Sequence, residues 1–542
     1  MVNSRRMGNK FVNLMKTRCD SLIVLLSITI YTIVWSNIVI LRLDTLNALW
    51  ADLGIAMERG WLIYNNNWGL NAYLYVFFNS GILYITFPLT LPHNYELLLI
   101  FQTIMIGGTA YPIYKISKKL LHNRFLPVLF AMLYLIYFPV SGINWYDFHY
   151  QSLFPILFLS GYYLYLTKQT KLSLVFLTFA SMVKFPYAVF STIFSLTILW
   201  EILFKNREEN RIELSKFSYP LALMLMSISL LFGAYFINGN IGYVQATIGY
   251  SVNSSFTADF TSKIFTIFLV FLPTLFVPLL SKKITAFFLP YFALIIFVGG
   301  YGKIYPTAFH YQYTSMIVPF VFLGLIEFFN DVRKLKKETF KKLRIKVSYR
   351  YLERFIVTLI VFMTILTATL FEPYGPLNHQ NFDNFGDFNN YVASDNVTVV
   401  YLNQVINLIP KDNNSVLTQF NIPEIYPREP VINTFPNEIY MLIAGHSALS
   451  QMNNLTLNNV INNSYNVSVL QNHSYIKTSI SIYYALGDSN SPWYYSNSPS
   501  MHEFITLMNE SHQYGILANY HGFILLEWHY KGPMLLGKNS TS

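Results

Sequence analysis

The sequence predicts a polytopic α-helical membrane protein, with a bundle of about eleven spans followed by an extracytoplasmic α/β domain. Of its 542 residues, 53% are apolar, 18% are aromatic and only 12% are charged. Ordinary soluble domains carry about 25% charged residues, so this is not the composition of a soluble enzyme or of a disordered chain. Apolar runs recur throughout residues 21–372. The remaining length is more than such a bundle needs, and it predicts a second domain.

The basic residues lie mainly on one side of the predicted bundle. The net charge is +10, yet the C-terminal 170 residues hold only 5 Lys and Arg against 11 Asp and Glu. Cytoplasmic loops carry an excess of Lys and Arg, so the charge reports topology, and we expect no nucleic-acid partner. The rule predicts a cytoplasmic N-terminus and an outside C-terminal domain. The cytoplasmic stretches, with 27 of the 37 Lys and Arg residues, are those before residue 20 and at 115–124, 168–171, 205–216, 282–283 and 333–354.

Residues 1–20 form a basic cytoplasmic N-terminus, and the apolar run 21–41 follows them. No small-residue cleavage site ends this run, so we predict a retained signal-anchor helix in the cell membrane. The single cysteine, Cys19, excludes an intrachain disulfide and argues against Cys-based zinc or thiol chemistry. Further spans are predicted at 95–115, 123–142, 150–166, 172–186, 187–203, 216–236, 263–281, 285–299, 313–329 and 352–372.

Two apolar parts of the predicted bundle have patterns that differ from a simple span. The spans 172–186 and 187–203 meet at Lys184-Phe185-Pro186-Tyr187, where proline breaks the helical ladder, as in a short hairpin that reaches only part-way. The stretch 72–91, counted as a span, would place the ten cations of 333–354 outside. The positive-inside rule therefore favours an interfacial or re-entrant helix there, within the outer segment 42–94.

From about residue 373 the composition shifts toward Asn, Ser and Tyr, which predicts an extracytoplasmic soluble α/β domain at 373–542. We predict a helix at 500–511. Turn residues predict a hairpin turn at 519–522. β-Branched runs predict strands at 397–401, 415–418, 430–433 and 481–486. Crowded Asn-x-Ser/Thr sequons agree with glycan cover, and compositional bias is the alternative. The glycosylation candidates are Asn253, Asn396, Asn413, Asn454, Asn462, Asn466, Asn472, Asn509 and Asn539.

The outer side of the predicted bundle holds a few ionisable residues, which are costly beside a membrane and usually functional there. Asp52 follows the first span in Trp50-Ala51-Asp52-Leu53-Gly54. The alternative for Asp52 is an N-cap that opens an interfacial helix. Asp147 lies between the third and fourth predicted spans. The positive charges on this side are Arg42, Arg59 and Lys303.

A short motif recurs at two points on the outer side. Phe148-His149-Tyr150-Gln151 and Phe309-His310-Tyr311-Gln312 each open a span that runs from outside to inside. The functional hypothesis is that His149 and His310 line one outer cavity. The alternatives are chance, in a chain so rich in aromatic residues, and interfacial aromatic belts with His as filler.

These pieces resemble a large archaeal and bacterial family of predicted membrane proteins of unknown function that is allied to the GT-C glycosyltransferases. Family members tend to carry His-Phe-Ser-Pro after the first outer loop. This chain has Phe77-Phe78-Asn79-Ser80-Gly81 there, so no role is carried over for that His. The resembling motifs run over most of the chain: Asp52-Leu53-Gly54, Phe148-His149, Leu408-Ile409-Pro410-Lys411-Asp412, Val416-Leu417-Thr418-Gln419, Arg428-Glu429-Pro430, and Tyr514-Gly515 to His521-Gly522.

The resemblance implies a GT-C-like bundle that uses a polyprenyl-phosphate-linked sugar donor and an envelope glycan or glycoprotein acceptor. Asp52 matches the acid of the first outer loop and would be the general base, and Asp147 is the candidate second acid. A divalent cation held by Asp52 and Asp147 is the one cofactor considered, and no organic cofactor is expected. Arg42, Arg59 and Lys303 would neutralise the phosphate. Asp147 and His149 would orient the acceptor or hold a divalent cation, and His310 would line the same cavity.

Two functions from other classes remain open at this point. A transporter or flippase for a lipid-linked glycan would need polar residues at mid-membrane depth and often internal repeats of span groups. An envelope-assembly scaffold, bound to membrane lipids, would use the sequon-rich tail and would not need Asp52. The enzyme hypothesis requires Asp52 and Asp147 to face one pocket, with at least one of the two histidines beside them.

Overall fold

A computed structural model shows a mostly helical chain, as the composition predicts for a polytopic membrane protein. The structure describes residues 2–44, 51–65, 70–91, 95–121, 123–145, 147–209, 214–237, 260–297, 312–334, 349–373, 397–410, 416–418, 468–469, 476–477, 484–488 and 514–537.

Most α-helices of the bundle lie where the apolar runs predict them. The first twelve are α1 (Val2–Asp44), α2 (Ala51–Asn65), α3 (Leu70–Ser80), α4 (Leu83–Thr86), α5 (Tyr95–Gly108), α6 (Ala110–Leu121), α7 (Phe125–Leu135), α8 (Phe138–Trp145), α9 (Phe154–Leu166), α10 (Thr170–Ser181), α11 (Ala188–Glu209) and α12 (Ser218–Ile237). They are followed by α13 (Phe260–Phe271), α14 (Thr285–Phe297), α15 (Val318–Lys334), α16 (Tyr349–Phe371) and α17 (Val397–Ile406).

Six helices of the described residues are long and apolar enough to cross a membrane. Helices α7 and α8 together would make a seventh, although they are bent by 42° at their junction. Three apolar helices are shorter, at Thr170–Ser181, Lys263–Thr274 and Thr285–Ile296. The six are Cys19–Asp44, Tyr95–Leu121, Phe185–Phe204, Ser215–Ile237, Tyr313–Arg333 and Tyr351–Phe371.

The apolar stretch 72–91 forms a broken segment instead of one long helix. Helix α3 ends at Ser80, and α4 leads directly into a 3-10 turn at Phe87–Leu89. None of these pieces approaches the roughly 20 residues that a straight span needs. The segment packs closely on α2, because a Cβ atom on Gly60 would lie only 1.9 Å from Oγ1 of Thr90.

The predicted break at Lys184-Phe185-Pro186-Tyr187 is present. Helix α10 ends at Ser181, and a 3-10 turn at Phe185–Tyr187 precedes α11. This break is pinned to the segment 70–91, because the backbone N–H of Ile82 donates to the carbonyl of Met182 at 3.1 Å. The helical hairpin therefore meets the broken segment 70–91 at its tip.

The prediction of one helical span at 263–281 is wrong. Helix α13 ends at Phe271, and Leu275 and Phe276 adopt left-handed backbone conformations with φ of 53° and 58°. Prolines at 273 and 278 explain the interruption, since proline removes a helical hydrogen bond. Neighbouring helices bury the broken backbone: the Thr364 hydroxyl donates to the Pro273 carbonyl at 3.1 Å.

Phenylalanine rings from four helices pack together inside the bundle, two pairs stacked and one pair edge to face. Phe158, Phe190 and Phe287 each place their ring centroid 4.7–4.9 Å from that of Phe320. All four side chains are almost completely buried. Aromatic pairs of this kind add about 0.5–1.5 kcal/mol each beyond the area they bury. This aromatic core makes α9, α11, α14 and α15 one packed unit.

The described strands of the C-terminal part form two sheets. A four-stranded sheet has the order β1-β4-β6-β5, in which β1 pairs with β4 in parallel and the other pairs are antiparallel. The predicted hairpin is confirmed, with His521 and Gly522 at positive φ in its turn. The predicted strand at 430–433 and the predicted helix at 500–511 lie outside the described residues. The strands are β1 (Val416–Thr418), β2 (Ser468–Val469), β3 (Ile476–Lys477), β4 (Tyr484–Asp488), β5 (Tyr514–Tyr520) and β6 (Phe523–Trp528).

The strand predicted at 397–401 is wrong, because these residues begin helix α17. Tertiary packing overrides the β-propensity of Val397, Val399 and Val400. Leu402, Val405 and Ile406 are buried at helical spacing, and they join a cluster with residues of β5 and β6. The buried apolar face of α17, which favours a helix over a strand, therefore begins just after the β-branched run.

Candidate functional site

The carboxylate of Asp147 caps the N-terminus of helix α2. Its Oδ2 accepts the backbone N–H of Asp52 at 2.6 Å, and its Oδ1 accepts that of Leu53 at 3.1 Å. Oδ1 also accepts the N–H of Phe148 at 2.6 Å. The first N–H groups of a helix have no partner within it, and a carboxylate also suits the positive end of the helix dipole. Asp147 thus anchors, from a distant loop, the helix that carries Asp52.

The side chain of Gln102 fixes the loop that carries Asp147 and His149. Its Oε1 accepts the backbone N–H of His149 at 2.7 Å, while its Nε2 donates to the carbonyl of Asp147 at 3.3 Å. Gln102 lies in α5 and is completely buried. One amide side chain therefore satisfies two backbone groups of an irregular loop, which buried backbone requires.

Arg42, at the end of α1, supports the same loop from the other side. Its guanidinium carbon lies 3.5 Å from the centroid of the Trp145 ring, and Nη1 donates to the Trp145 carbonyl. Arg42 is only 3% exposed. A guanidinium stacked on an indole and bonded to backbone is held in place. These contacts make Arg42 part of the framework around Asp147, whereas its predicted role toward phosphate stays a prediction.

Asp52 and His149 meet at the start of α2. His149 Nδ1 lies 3.3 Å from Asp52 Oδ2, and the His149 side chain is 4% exposed against 47% for Asp52. Burial lowers the pKa of His149 to about 4, although the Asp52 charge acts in the opposite direction. The imidazole is therefore neutral at physiological pH, and its contact requires the proton on Nδ1. Among the described residues, no hydrogen bond occupies the second oxygen of Asp52.

Asp52 lies inside the first turn of α2, which begins at Ala51. The alternative prediction, an Asp52 side chain that caps its own helix, is therefore wrong. Asp147 performs the capping instead. Burial, and then the charge of Asp52, raise the pKa of Asp147, and its three backbone donors oppose that shift. Two carboxylates at one helix end are tolerated because one of them accepts the orphan N–H groups.

Two cations complete the described part of the site. Lys184 lies in the break before the turn Phe185–Tyr187, and its charge acts on His149. Arg59 is seven residues after Asp52 on α2, a spacing of two turns that places both on one face. Lys184 interacts electrostatically with both Asp52 and Arg59. The two remaining predicted site residues, Lys303 and His310, and all nine glycosylation candidates lie outside the described residues.

The two copies of the Phe-His-Tyr-Gln motif lead into similar structures. Each motif runs into a 3-10 turn, at Tyr150–Leu153 and at Gln312–Met316, and a helix follows each turn. These two turns pack against each other. The recurrence therefore has a structural counterpart, although only Gln312 of the second copy is described.

The structure brings Asp52, Asp147 and His149 to one place, and Arg59 lies two turns further along α2. Sequence reasoning missed Gln102 and Lys184. Each had a signal: Gln102 is an amide inside an apolar span, and Lys184 is a cation at a proline break between two apolar runs. For metal, no three His, Cys, Asp or Glu side chains gather within the described ranges. Both oxygens of Asp147 already accept backbone N–H groups, so its geometry does not fit a metal ligand.

The contribution of His149 to stability is expected to depend on pH. Because folding lowers the pKa of His149 from 6.5 to about 4, its stabilising contribution is present above pH 6.5 and is lost as the pH falls toward 4. The shift corresponds to about 3 kcal/mol. We expect the stability of the wild type relative to His149→Gln to fall by about this amount between pH 7 and pH 4. Unfolding of both purified proteins measures it, and equal changes in both would contradict the assignment.

Comparison with known sequences identifies the family of the chain. No curated protein matches it. The family described as Predicted membrane protein (DUF2079) matches residues 78–439, which is well over half of the chain. This range includes Gln102, Asp147, His149 and Lys184, whereas Asp52 precedes it. The chain therefore belongs to the DUF2079 family of predicted membrane proteins.

Proposed function

We propose that this protein is a membrane glycosyltransferase of the GT-C kind, which transfers a sugar from a polyprenyl-phosphate-linked donor to an envelope acceptor. The observation that supports it best is the environment of Asp52. This carboxylate is half-exposed, and His149 contacts one of its oxygens. Asp147 anchors the helix by accepting its first N–H groups, so the Asp52 side chain is held in place but does not have to accept them itself. A fixed, accessible carboxylate beside cations suits a base that works next to a phosphate leaving group.

The proposed reaction is a single displacement at the anomeric carbon of the sugar. Asp52 takes the proton from an acceptor hydroxyl or amide, and the freed electron pair forms the new bond to the anomeric carbon. The bond between that carbon and the phosphate oxygen breaks, and the phosphate leaves with its electron pair. His149 orients Asp52 through its Nδ1 proton, and nearby cations stabilise the negative charge that develops on the phosphate.

The proposed topology has eleven passes, with the N-terminus inside and residues 373–542 outside as a soluble α/β domain. Six long helices and the bent pair α7–α8 supply seven of the passes. The other four would be α9, α10, α13 and α14, which are short for a straight span. The distribution of Lys and Arg supports this orientation. The tail would recognise the acceptor or shield the site, and the proposed glycans would cover it.

Protease treatment of intact cells tests this topology. A protease added outside sealed cells is expected to release residues 373–542 as fragments, because that part is proposed to be outside. The segment 335–348 should be cut only after the cells are opened, since its cations place it inside. Protection of the tail in sealed cells would overturn the topology and the proposed outer site with it.

The function itself is tested by profiling lipid-linked sugars in cells with and without the gene. Loss of the enzyme should cause one polyprenyl-phosphate-linked sugar to accumulate and one envelope glycan to lose that sugar. Restoring the wild-type gene should reverse both changes. Accumulation confined to the inner leaflet would indicate a flippase instead, and unchanged profiles of donor and acceptor would contradict the proposal.

A further inference from the structure

Lys184 is placed where two parts of the outer structure meet. It lies in extended backbone between α10 and the turn Phe185–Tyr187, and its carbonyl accepts the N–H of Tyr187 at 2.9 Å. That turn packs against α3, and the carbonyl of Met182 accepts a hydrogen bond from the backbone N–H of Ile82. The backbone of Lys184 is therefore fixed on both sides, while its side chain remains partly exposed.

Among the described residues, no carboxylate serves as a dedicated counterion for Lys184 or Arg59. Within the described part of the chain, neither side chain makes an ion pair or a hydrogen bond. The two carboxylates of the site have other partners: Asp147 accepts three backbone N–H groups, and Asp52 contacts His149. Burial lowers the pKa of Lys184; the Asp52 charge opposes this shift, and the Arg59 charge adds to it. A bound anion would relieve the repulsion between the two cations.

The spacing along α2 shows where such an anion would lie. Asp52 and Arg59 are separated by two helical turns, or about 10 Å along the axis, on one face of α2. Lys184 is close enough to interact electrostatically with both. The charge of Arg59 also acts on the Tyr150 hydroxyl, at the base of the same loop. Arg59 thus lies on the face of α2 that begins with the proposed base, and Lys184 is within electrostatic range of both residues.

We propose that Lys184 and Arg59 together bind a phosphate or diphosphate group on the face of α2 next to Asp52. Its role as the leaving group rests on the glycosyltransferase function proposed above, whereas the binding itself does not. Lys184 supplies a point charge on the hairpin side, and Arg59 supplies a planar fork that matches two phosphate oxygens. Because Lys184 belongs to the α10–α11 hairpin and Arg59 to α2, the anion would bridge the two parts.

Chemical acylation of lysines in the purified full-length protein tests the proposal. Mass spectrometry would follow the acylation rate of Lys184 with increasing inorganic pyrophosphate, and Lys283 serves as the internal control. Lys283 is 47% exposed and lies 4.0 Å from Glu201, so it should react at an unchanged rate. At ten times the half-protecting concentration, acylation of Lys184 should slow by about tenfold, from simple mass action. No protection of Lys184, or equal protection of Lys283, would overturn the proposal.

Variants and a second ligand sharpen this experiment. Arg59→Gln should raise the half-protecting concentration by roughly tenfold or more, because it removes a charge-assisted contact. Lys283→Gln should leave it unchanged, and equal effects of both would contradict the site. A short-chain polyprenyl phosphate that protects at lower concentration than pyrophosphate, when the matching polyprenol does not protect, would identify a lipid-linked phosphate. Equal protection by pyrophosphate would identify a free one.

The same measurement separates the anion site from the proposed reaction. Asp52→Asn removes a carboxylate that competes with the anion for Lys184, so protection by pyrophosphate should persist at an equal or lower concentration. Protection that persists in Asp52→Asn while sugar transfer is lost supports both proposals. Protection of Lys184 in a protein whose sugar transfer does not need Asp52 would keep the anion site and contradict the glycosyltransferase.

Discussion

Asp52→Asn is expected to reduce sugar transfer by about 10²–10⁴-fold, the loss that follows removal of a general base. Asparagine keeps the size of the side chain and an oxygen where His149 Nδ1 contacts the carboxylate. It cannot take a proton from the acceptor. The helix α2 should remain in place, since Asp147 bonds to the backbone of Asp52 and not to its side chain. Expression and thermal unfolding should therefore stay close to the wild type while turnover falls.

Asp44→Asn is the matched control for this experiment. Asp44 is also an acid of the first outer region, at the C-terminal end of α1. Among the described residues it has no hydrogen bond to Asp147, His149 or Lys184. Its loss should leave transfer near the wild-type rate. Turnover of Asp52→Asn that equals the wild-type rate would contradict the catalytic assignment and would favour the scaffold function.

Asp147→Ala is expected to destabilise the protein by about 2–4 kcal/mol, because it leaves N–H groups of α2 and of the loop without an acceptor. Transfer should fall as well, since α2 carries Asp52. The variant Asp147→Asn retains one acceptor oxygen and should lose clearly less stability. Thermal unfolding of the purified proteins measures the first effect, and transfer per folded molecule measures the second.

The two variants of Asp147 also separate a cap from a second catalytic acid. A catalytic acid would make Asp147→Asn as inactive as Asp147→Ala, with stability close to the wild type. A cap predicts that loss of transfer parallels loss of stability across the two. Thermal unfolding of Asp147→Ala at the wild-type temperature would contradict the capping role directly.

The positions of most helices could be predicted from the sequence. The length of an apolar run reflects the thickness of the membrane, and the charge of a loop reflects the side on which it lies. The break at Lys184 was predictable for the same local reason, since Pro186 cannot continue a helix. One continuous span was predicted at 263–281, although Pro273 and Pro278 indicate a break at 272–281. Mean apolarity conceals such breaks, and what stabilises this one is long-range packing, such as the bond from Thr364 to Pro273.

The chemistry of the site was predictable in its residue types and less so in its roles. Asp52, Asp147 and His149 were expected to lie together, because the predicted topology puts all three in loops on one side with few other ionisable groups, and they do meet. That Asp147 would bond to the backbone of α2 was not visible, since it depends on how a loop meets a helix end. Gln102 was not predictable from charge, because an uncharged amide organises the loop. In the tail, α17 was missed because packing prevailed over β-propensity.

The cap on α2 also sets an order of events during biosynthesis. Asp147 lies 95 residues after Asp52 in the chain. At a synthesis rate of about 5–20 residues per second, α2 waits roughly 5–20 s after it is made before its cap exists. During that delay the N–H groups of Asp52 and Leu53 lack the carboxylate that accepts them in the folded protein. The base proposed for the reaction is thus brought into position only after Asp147 has been made, so a chain that ends before Asp147 holds no assembled site.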